Sequence, residues 1–167
     1  MALFSTPPAT HIPPVEGVRL DGTAFGLPAG LGAAATLVVV SFEDAAAPLA
    51  GQWLRLGERL AEATPGLDVL DLVVLSPRVR LLGDVALLGI RARAEAAGRT
   101  GRTAVVYTKR KPFRQALGVA KSSGVTALLL RPDGEVTWRG NDEIDLHEVE
   151  ALESQVQALL GEMGSGK

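Results

Sequence analysis

Thr36-Leu37-Val38-Val39-Val40-Ser41-Phe42 is an apolar, β-branched run that turns acidic at Glu43-Asp44 and meets a proline at Pro48. A strand that is apolar on both of its sides must be covered on both, which is the position of a central strand in an α/β sheet. After Pro48 the apolar period becomes helical. Leu49, Trp53, Leu56 and Leu60 are spaced 4, 3 and 4, so one stripe can face the sheet, with Pro48 in the first turn. Pro65-Gly66 ends that helix, and Val69 to Leu75 reads as a second buried strand ended by Ser76-Pro77. A strand, a helix and a strand in succession predict a right-handed parallel crossover.

Outward from this unit the pattern continues. Leu81, Val85, Leu88 and Ala92 predict a second amphipathic helix closed by Gly98, and Thr103 to Tyr107 a third strand. Pro112 to Leu117 reads as one or two helical turns stopped at Gly118. Thr126 to Leu130 and Glu135 to Trp138 read as strands joined by the turn Arg131-Pro132-Asp133-Gly134. Asp145 is placed to cap a last helix carrying Val149, Leu152, Val156, Leu159 and Met163. Upstream, Val15 to Leu27 suggests a hairpin around Asp21-Gly22, and residues 1–14, with four prolines, a loosely attached arm. One domain is expected over 15–163, with a frayed tail over 164–167. Its mixed sheet has helices on both faces, in a three-layer α/β/α sandwich closed by a hairpin plus helix.

The 167 residues, 17.4 kDa, suit one domain; 47% are hydrophobic and 22% charged, enough for a substantial core. The net charge of −2 argues against a general polyanion binder. There is no cysteine, which excludes disulfides, thiolate metal sites and every thiol-based redox step. With His11 and His147 as the only histidines, no metal site and no cofactor are expected. The N-terminus lacks a basic region followed by an apolar core of signal length, and Ala33 to Val40 is far shorter than the roughly 20 residues of a membrane span. A soluble, cytoplasmic protein without membrane partners is the expectation. Thirteen arginines against four lysines suggest a GC-rich bacterial source.

This order, and several short words within it, resemble the thioredoxin-like superfamily, nearest its peroxiredoxin and thiol–disulfide oxidoreductase branches, over roughly residues 15–160. Leu27-Pro28 to Phe42 is similar to the family's lead-in loop and first core strand. Gly118-Val119, Val125 to Gly134 and Val136-Thr137-Trp138-Arg139-Gly140 resemble the family's "G-V", strand, "PDG" turn and returning strand. The resemblance implies an active site where the first core strand passes into the next helix, whose N-terminus lowers a thiol pKa. Aligning the family's C-x-P-C on Pro48 makes Ala46, Ala47, Pro48 and Leu49 the degenerate site, with Ala46 and Leu49 where the two cysteines would stand. The family's cis-proline falls near Val125, where the chain has no proline. The likeness therefore implies the fold and argues against the activity.

Other groups give weak substitutes. Ser41 and Ser76 lie at strand ends without an evident base, and Glu43 and Asp44 read as helix caps before they read as acid–base groups. Gly161 to Lys167 formally matches a phosphate loop but follows a helix instead of opening one. Charge is uneven. Residues 78–121 carry eleven Lys/Arg against Asp84 and Glu95, densest at Lys109, Arg110, Lys111 and Arg114. That segment could bind nucleic acid or an acidic partner, although balancing of acidic helices in the same chain or a twin subunit is the simpler reading. Trp53 belongs to a core stripe, whereas Trp138 beside Arg139 is a candidate interface residue.

These residues support a cysteine-free thioredoxin-like binding, chaperone or scaffold module, with a peptide groove lined by Glu43, Asp44, Pro48 and the residues near Val125, and with homodimerisation as a companion expectation. The alternatives are a family enzyme with changed chemistry at Glu43 or Asp44, and a nucleic-acid-associated protein using residues 78–121. Purified protein is expected to consume no peroxide and reduce no disulfide above background when supplied with a dithiol. Turnover in either assay would contradict the absence of a thiol mechanism.

Overall fold

A computed structural model describes residues 10–43, 46–119 and 124–165. In chain order the elements are β1 (Val15–Arg19), β2 (Ala24–Leu27), β3 (Ala35–Ser41), α1 (Ala47–Ala63), β4 (Leu67–Leu75), a 3-10 segment (Pro77–Leu87), α2 (Leu88–Ala97), β5 (Thr103–Tyr107), α3 (Arg110–Ala116), β6 (Val125–Leu130), β7 (Val136–Asn141) and α4 (Leu146–Ser165). The strands form one mixed sheet in the order β2-β1-β5-β4-β3-β6-β7. Every residue of β3 is buried. It pairs parallel with β4, Val39 opposite Asp71, and antiparallel with β6, Ser41 opposite Val125.

Alternation along β3 divides the core into two faces. Leu37 and Val39 pack under Trp53, Leu54 and Leu56 of α1 and Leu152, Val156 and Leu159 of α4. Val38 and Val40 face the other way, toward Phe113 and Leu117 around α3 and toward Phe25 and Leu27 of β2. α2 lies on the α1 side, setting Leu87, Ile90 and Ala94 against Val73 and Val105. The result is the expected three-layer sandwich, closed by the β6–β7 hairpin and α4.

Local chemistry explains most boundaries. The β1–β2 turn runs through Gly22 at φ 90°, and the β6–β7 turn through Gly134, also at φ 90°, a conformation open to glycine. The Asp145 carboxylate accepts the Glu148 amide at 2.8 Å, the capping bond expected for α4. Trp53, fully buried, donates its indole N–H to the Asp142 carbonyl at 2.7 Å and meets Trp138 edge-to-face at 5.8 Å between ring centres. Asp142 sits at φ 55° and its carboxylate accepts the Val125 amide at 3.1 Å. These bonds tie α1 to both strands of the C-terminal hairpin.

Three expectations are corrected. The stripe Leu81, Val85, Leu88 and Ala92 is exposed, and the buried face is Leu87, Ile90 and Ala94. Residues 77–87 are wound as a 3-10 helix, whose three residues per turn rotate the stripe away from its α-helical position. Residues 10–14 are not loosely attached. Ile12 is in the core, its amide bonds the Gly134 carbonyl at 2.9 Å, and the Val136 amide bonds the Thr10 carbonyl at 2.7 Å. At the other end α4 continues through Gly164 and Ser165, so the helix takes in part of the expected tail. Residues 1–9 and 166–167 lie outside the described residues.

Gly140 supplies a test of the aromatic junction. A Cβ there would stand 2.5 Å from the Trp138 ring and 2.7 Å from the Trp53 ring, two rigid groups. Gly140→Ala is expected to destabilise the protein by about 1–3 kcal/mol, the usual range for overpacking. An unchanged denaturation midpoint would show that the rings yield freely.

Candidate functional site

β3 is the point where the chain reverses its direction across the sheet. Crossovers through α1 and α2 carry it to β4 and then β5, after which it returns through α3 to β6 on the opposite side of β3. Ligands of open α/β sheets favour the crevice at the carboxyl ends of the strands beside such a point. Two cavities occupy that place. One of about 520 Å³ lies between α1 and α2 over β4, lined by residues that include the first turn of α1, Arg55, Asp71, Arg93 and Arg99. The second, of about 380 Å³, is lined by Phe42, Glu43, Val73, Leu75 and Arg110, and shares Ser41 and Arg93 with the first.

The segment expected to be the degenerate redox site is at this crevice. Ala46 is buried, Ala47 and Pro48 line the larger cavity, and half-buried Leu49 packs on the α1 side of the core. Methyl, pyrrolidine and isobutyl groups thus replace any nucleophile. Ala46 is also the N-cap of α1, and its side chain makes no capping bond. Exposed Glu43 contributes its backbone carbonyl, which accepts the Ala46 amide at 3.0 Å. Asp44 lies outside the described residues. Ser41 is 6% exposed and lines both cavities, but neither His11, bridged to Glu135, nor His147, in the first turn of α4, lines either one.

The remaining candidates disperse. Val125 was expected at a binding surface and is instead wholly buried, because it pairs with Ser41 in the sheet interior. Trp138 is half-buried against Trp53. Arg139 donates to the Leu117 carbonyl at 2.8 Å, and burial lowers its guanidinium pKa from the ordinary arginine value. Arg110 donates to the Phe42 carbonyl at 3.2 Å and Arg114 to the Val119 carbonyl at 3.3 Å, while Lys109 and Lys111 are exposed. Arg99 grips Glu58 at two points, 2.8 and 3.0 Å, with Arg102 at 3.3 Å, linking α1 to the loop before β5. Those bonds hold the Glu58 carboxyl below the usual carboxylate range against the opposing effect of burial.

Asp71 was missed. It occupies the middle of β4 between Val39 and Thr103, on the face covered by α1 and α2. Burial pushes its carboxyl up to about 6, although Arg99, Arg93 and the Thr103 hydroxyl favour the charged form. The available signal was a lone acid inside Leu70-Asp71-Leu72-Val73-Val74, where the pattern calls for an apolar residue. Among the described residues, no group of three or more His, Asp or Glu gathers as a metal site would require.

With the site's geometry in place, the class is clear: the chain has the thioredoxin-like α/β fold, with no cysteine in its sequence. It is similar to the thiol:disulfide interchange protein DsbE of Chlorobium tepidum, with 16% identity, a TM-score of 0.61, and 94% of this chain and 100% of that one covered. A member of the Sco family of cytochrome c oxidase assembly proteins, BsSco, aligns with 15% identity and a TM-score of 0.61 over 94% of this chain and 97% of that one. A thioredoxin family protein of Chlorobium tepidum TLS aligns at 17% identity and a TM-score of 0.56, covering 94% and 100%. No family model and no curated protein sequence matches the chain. At these identities the likeness establishes the fold alone.

Asp71 predicts a pH dependence of stability. Its native pKa of about 6 stands above the ordinary 3.8, so between those values the folded protein binds more protons than the unfolded chain. Stability from this group is therefore lost as pH rises through that window, by about 3 kcal/mol in all. Denaturation curves should show wild type losing that much relative to Asp71→Asn between pH 3.5 and pH 7. A constant difference would mean that Asp71 titrates normally.

Proposed function

We propose that this chain is a non-catalytic, thiol-free thioredoxin-fold binding module that holds an acidic group of a partner polypeptide in the crevice at the carboxyl ends of β3 and β4. One observation carries the reading: Arg55 and Arg93 border a cavity that also takes in Ala47 and Pro48 of the first turn of α1, side chains that leave no nucleophile there, while Arg99 at the same cavity is held by Glu58. The partial positive charge of a helix N-terminus and guanidinium groups favour a carboxylate ligand together. Asp71 at the cavity wall would accept a hydrogen bond from a backbone amide beside that carboxylate, which suits a peptide better than a bare anion. The fold shared with assembly and interchange proteins supports a role in handling other polypeptides, without specifying which.

A second reading rests on a separate observation. A cavity carboxylate pushed up to about 6 is suited to proton transfer near neutral pH, so the changed-chemistry alternative moves from Glu43 and Asp44 to Asp71. Binding without turnover separates the two. Titration calorimetry with glutamate-rich and aspartate-rich peptides should show affinity that falls with salt. Replacing both Arg55 and Arg93 with alanine should weaken it roughly 10- to 100-fold, the range for losing charge-assisted hydrogen bonds. Lys109→Ala and Lys111→Ala should leave it intact. Equal affinity in the double variant would overturn the assignment of this crevice.

A further inference from the structure

The 3-10 segment and the start of α2 are apolar on two sides. Leu87 and Ile90 face inward onto Val73 and Val105, yet Leu81, Leu82, Val85 and Leu88 are 89, 61, 70 and 59% exposed. A surface element normally shows one apolar stripe and a polar opposite face. Four large aliphatic groups left in water within residues 81–88 are the kind of exposure that marks an interaction site.

The surroundings of this ridge specify the charge of what covers it. Arg78 and Arg80 are exposed on the same segment. The Arg80 guanidinium lies over the Tyr107 ring at 4.8 Å, and the Thr108 amide bonds the Leu75 carbonyl at 3.0 Å, so the ends of β4 and β5 are adjacent. Exposed Lys109 and Lys111 follow immediately. An apolar ridge and four cations thus share one edge of the sheet. Pairing with a second copy about a two-fold axis through the ridge would set Arg78 and Arg80 against their own equivalents, which disfavours a symmetric dimer there. Nucleic acid would satisfy the cations but leave the leucines in water. The energetic hot spots of protein interfaces are mostly Trp, Tyr and Arg, with Leu and Val under-represented, and the ridge exposes no aromatic anchor of its own. Leucine and valine projecting outward beside arginine and lysine are the composition of an element lying in the headgroup region of a bilayer.

We infer that residues 77–88 form a peripheral docking surface for an anionic lipid bilayer, with Leu81, Leu82, Val85 and Leu88 entering the acyl boundary and Arg78, Arg80, Lys109 and Lys111 meeting the headgroup phosphates and carboxylates. No helix among the described residues is long and apolar enough to cross a membrane, so the contact is one of surface insertion. Each cation strengthens association roughly fivefold near an anionic surface, and salt weakens it. The candidate peptide crevice opens at the same carboxyl-end edge of the sheet, so a docked molecule would present it close to the bilayer plane.

The test is sedimentation of the full chain with vesicles of phosphatidylcholine alone or with a quarter of phosphatidylserine. Binding is expected to the anionic vesicles only, to fall with salt, and to be lost at least tenfold in the Leu81→Ser/Val85→Ser variant. Both side chains are largely exposed, so that variant should keep wild-type circular dichroism and melting. Leu82→Trp should in addition show blue-shifted emission, quenched by brominated acyl chains. No binding to anionic vesicles, or equal binding by the serine variant, would overturn the proposal, as would capture by acidic proteins or nucleic acid with none by lipid.

Discussion

β3 must be covered on both faces and paired on both edges, and the rest of the molecule is arranged to meet that requirement. All seven of its residues are buried, so its inward and outward side chains need separate aliphatic layers, supplied by α1 and α4 on one side and by α3 with β2 on the other. Its backbone groups are paired by β4 and β6. Because the chain winds from β3 through β4 to β5 and then returns to β6 on the other side of β3, a crevice opens at the strand's carboxyl end. The candidate site follows from the way the core is built.

The C-terminal hairpin shows how little polar chemistry secures a largely apolar junction. Trp53 reaches from α1 to the Asp142 carbonyl, and the Asp142 carboxylate reaches back to the first amide of β6. Trp138 closes the junction from β7, in space that only a glycine at position 140 leaves open. The two tryptophans are therefore one structural unit. A similar economy governs the basic segment: Arg99 and Arg102 answer Glu58, while Arg91, Arg110 and Arg114 bond to backbone carbonyls of Leu20, Phe42 and Val119. Part of the positive charge serves the fold, and the share left at the ends of β4 and β5 borders an apolar ridge.

No cysteine stands at the N-terminus of α1 to use its positive end. In a redox protein of this architecture the positive end of the helix stabilises a thiolate. Here the corresponding positions carry aliphatic groups, and the electrostatic preference for negative charge has no covalent occupant. Guanidinium groups at the cavity wall extend that preference, and the Asp71 carboxylate opposes it.

Period and punctuation alone were sufficient for most of the architecture. The Thr36–Phe42 run, the 4-3-4 spacing from Leu49 and the turn at Pro132-Asp133-Gly134 are local signals, and the elements they predict are present because burial of a continuous apolar run or stripe leaves few other arrangements. The absence of a thiol was equally plain. Local spacing failed where the winding changed, as between Pro77 and Leu87, since three residues per turn and 3.6 place the same leucine on different faces. The site depended on long-range contacts. Asp71 acquires its raised pKa only when Val39, Thr103, α1 and α2 close around it, and Val125 is removed from the surface by pairing with Ser41. Covalent chemistry and element type are properties of neighbouring residues in the chain, whereas desolvation and convergence of charge belong to residues that meet only after folding.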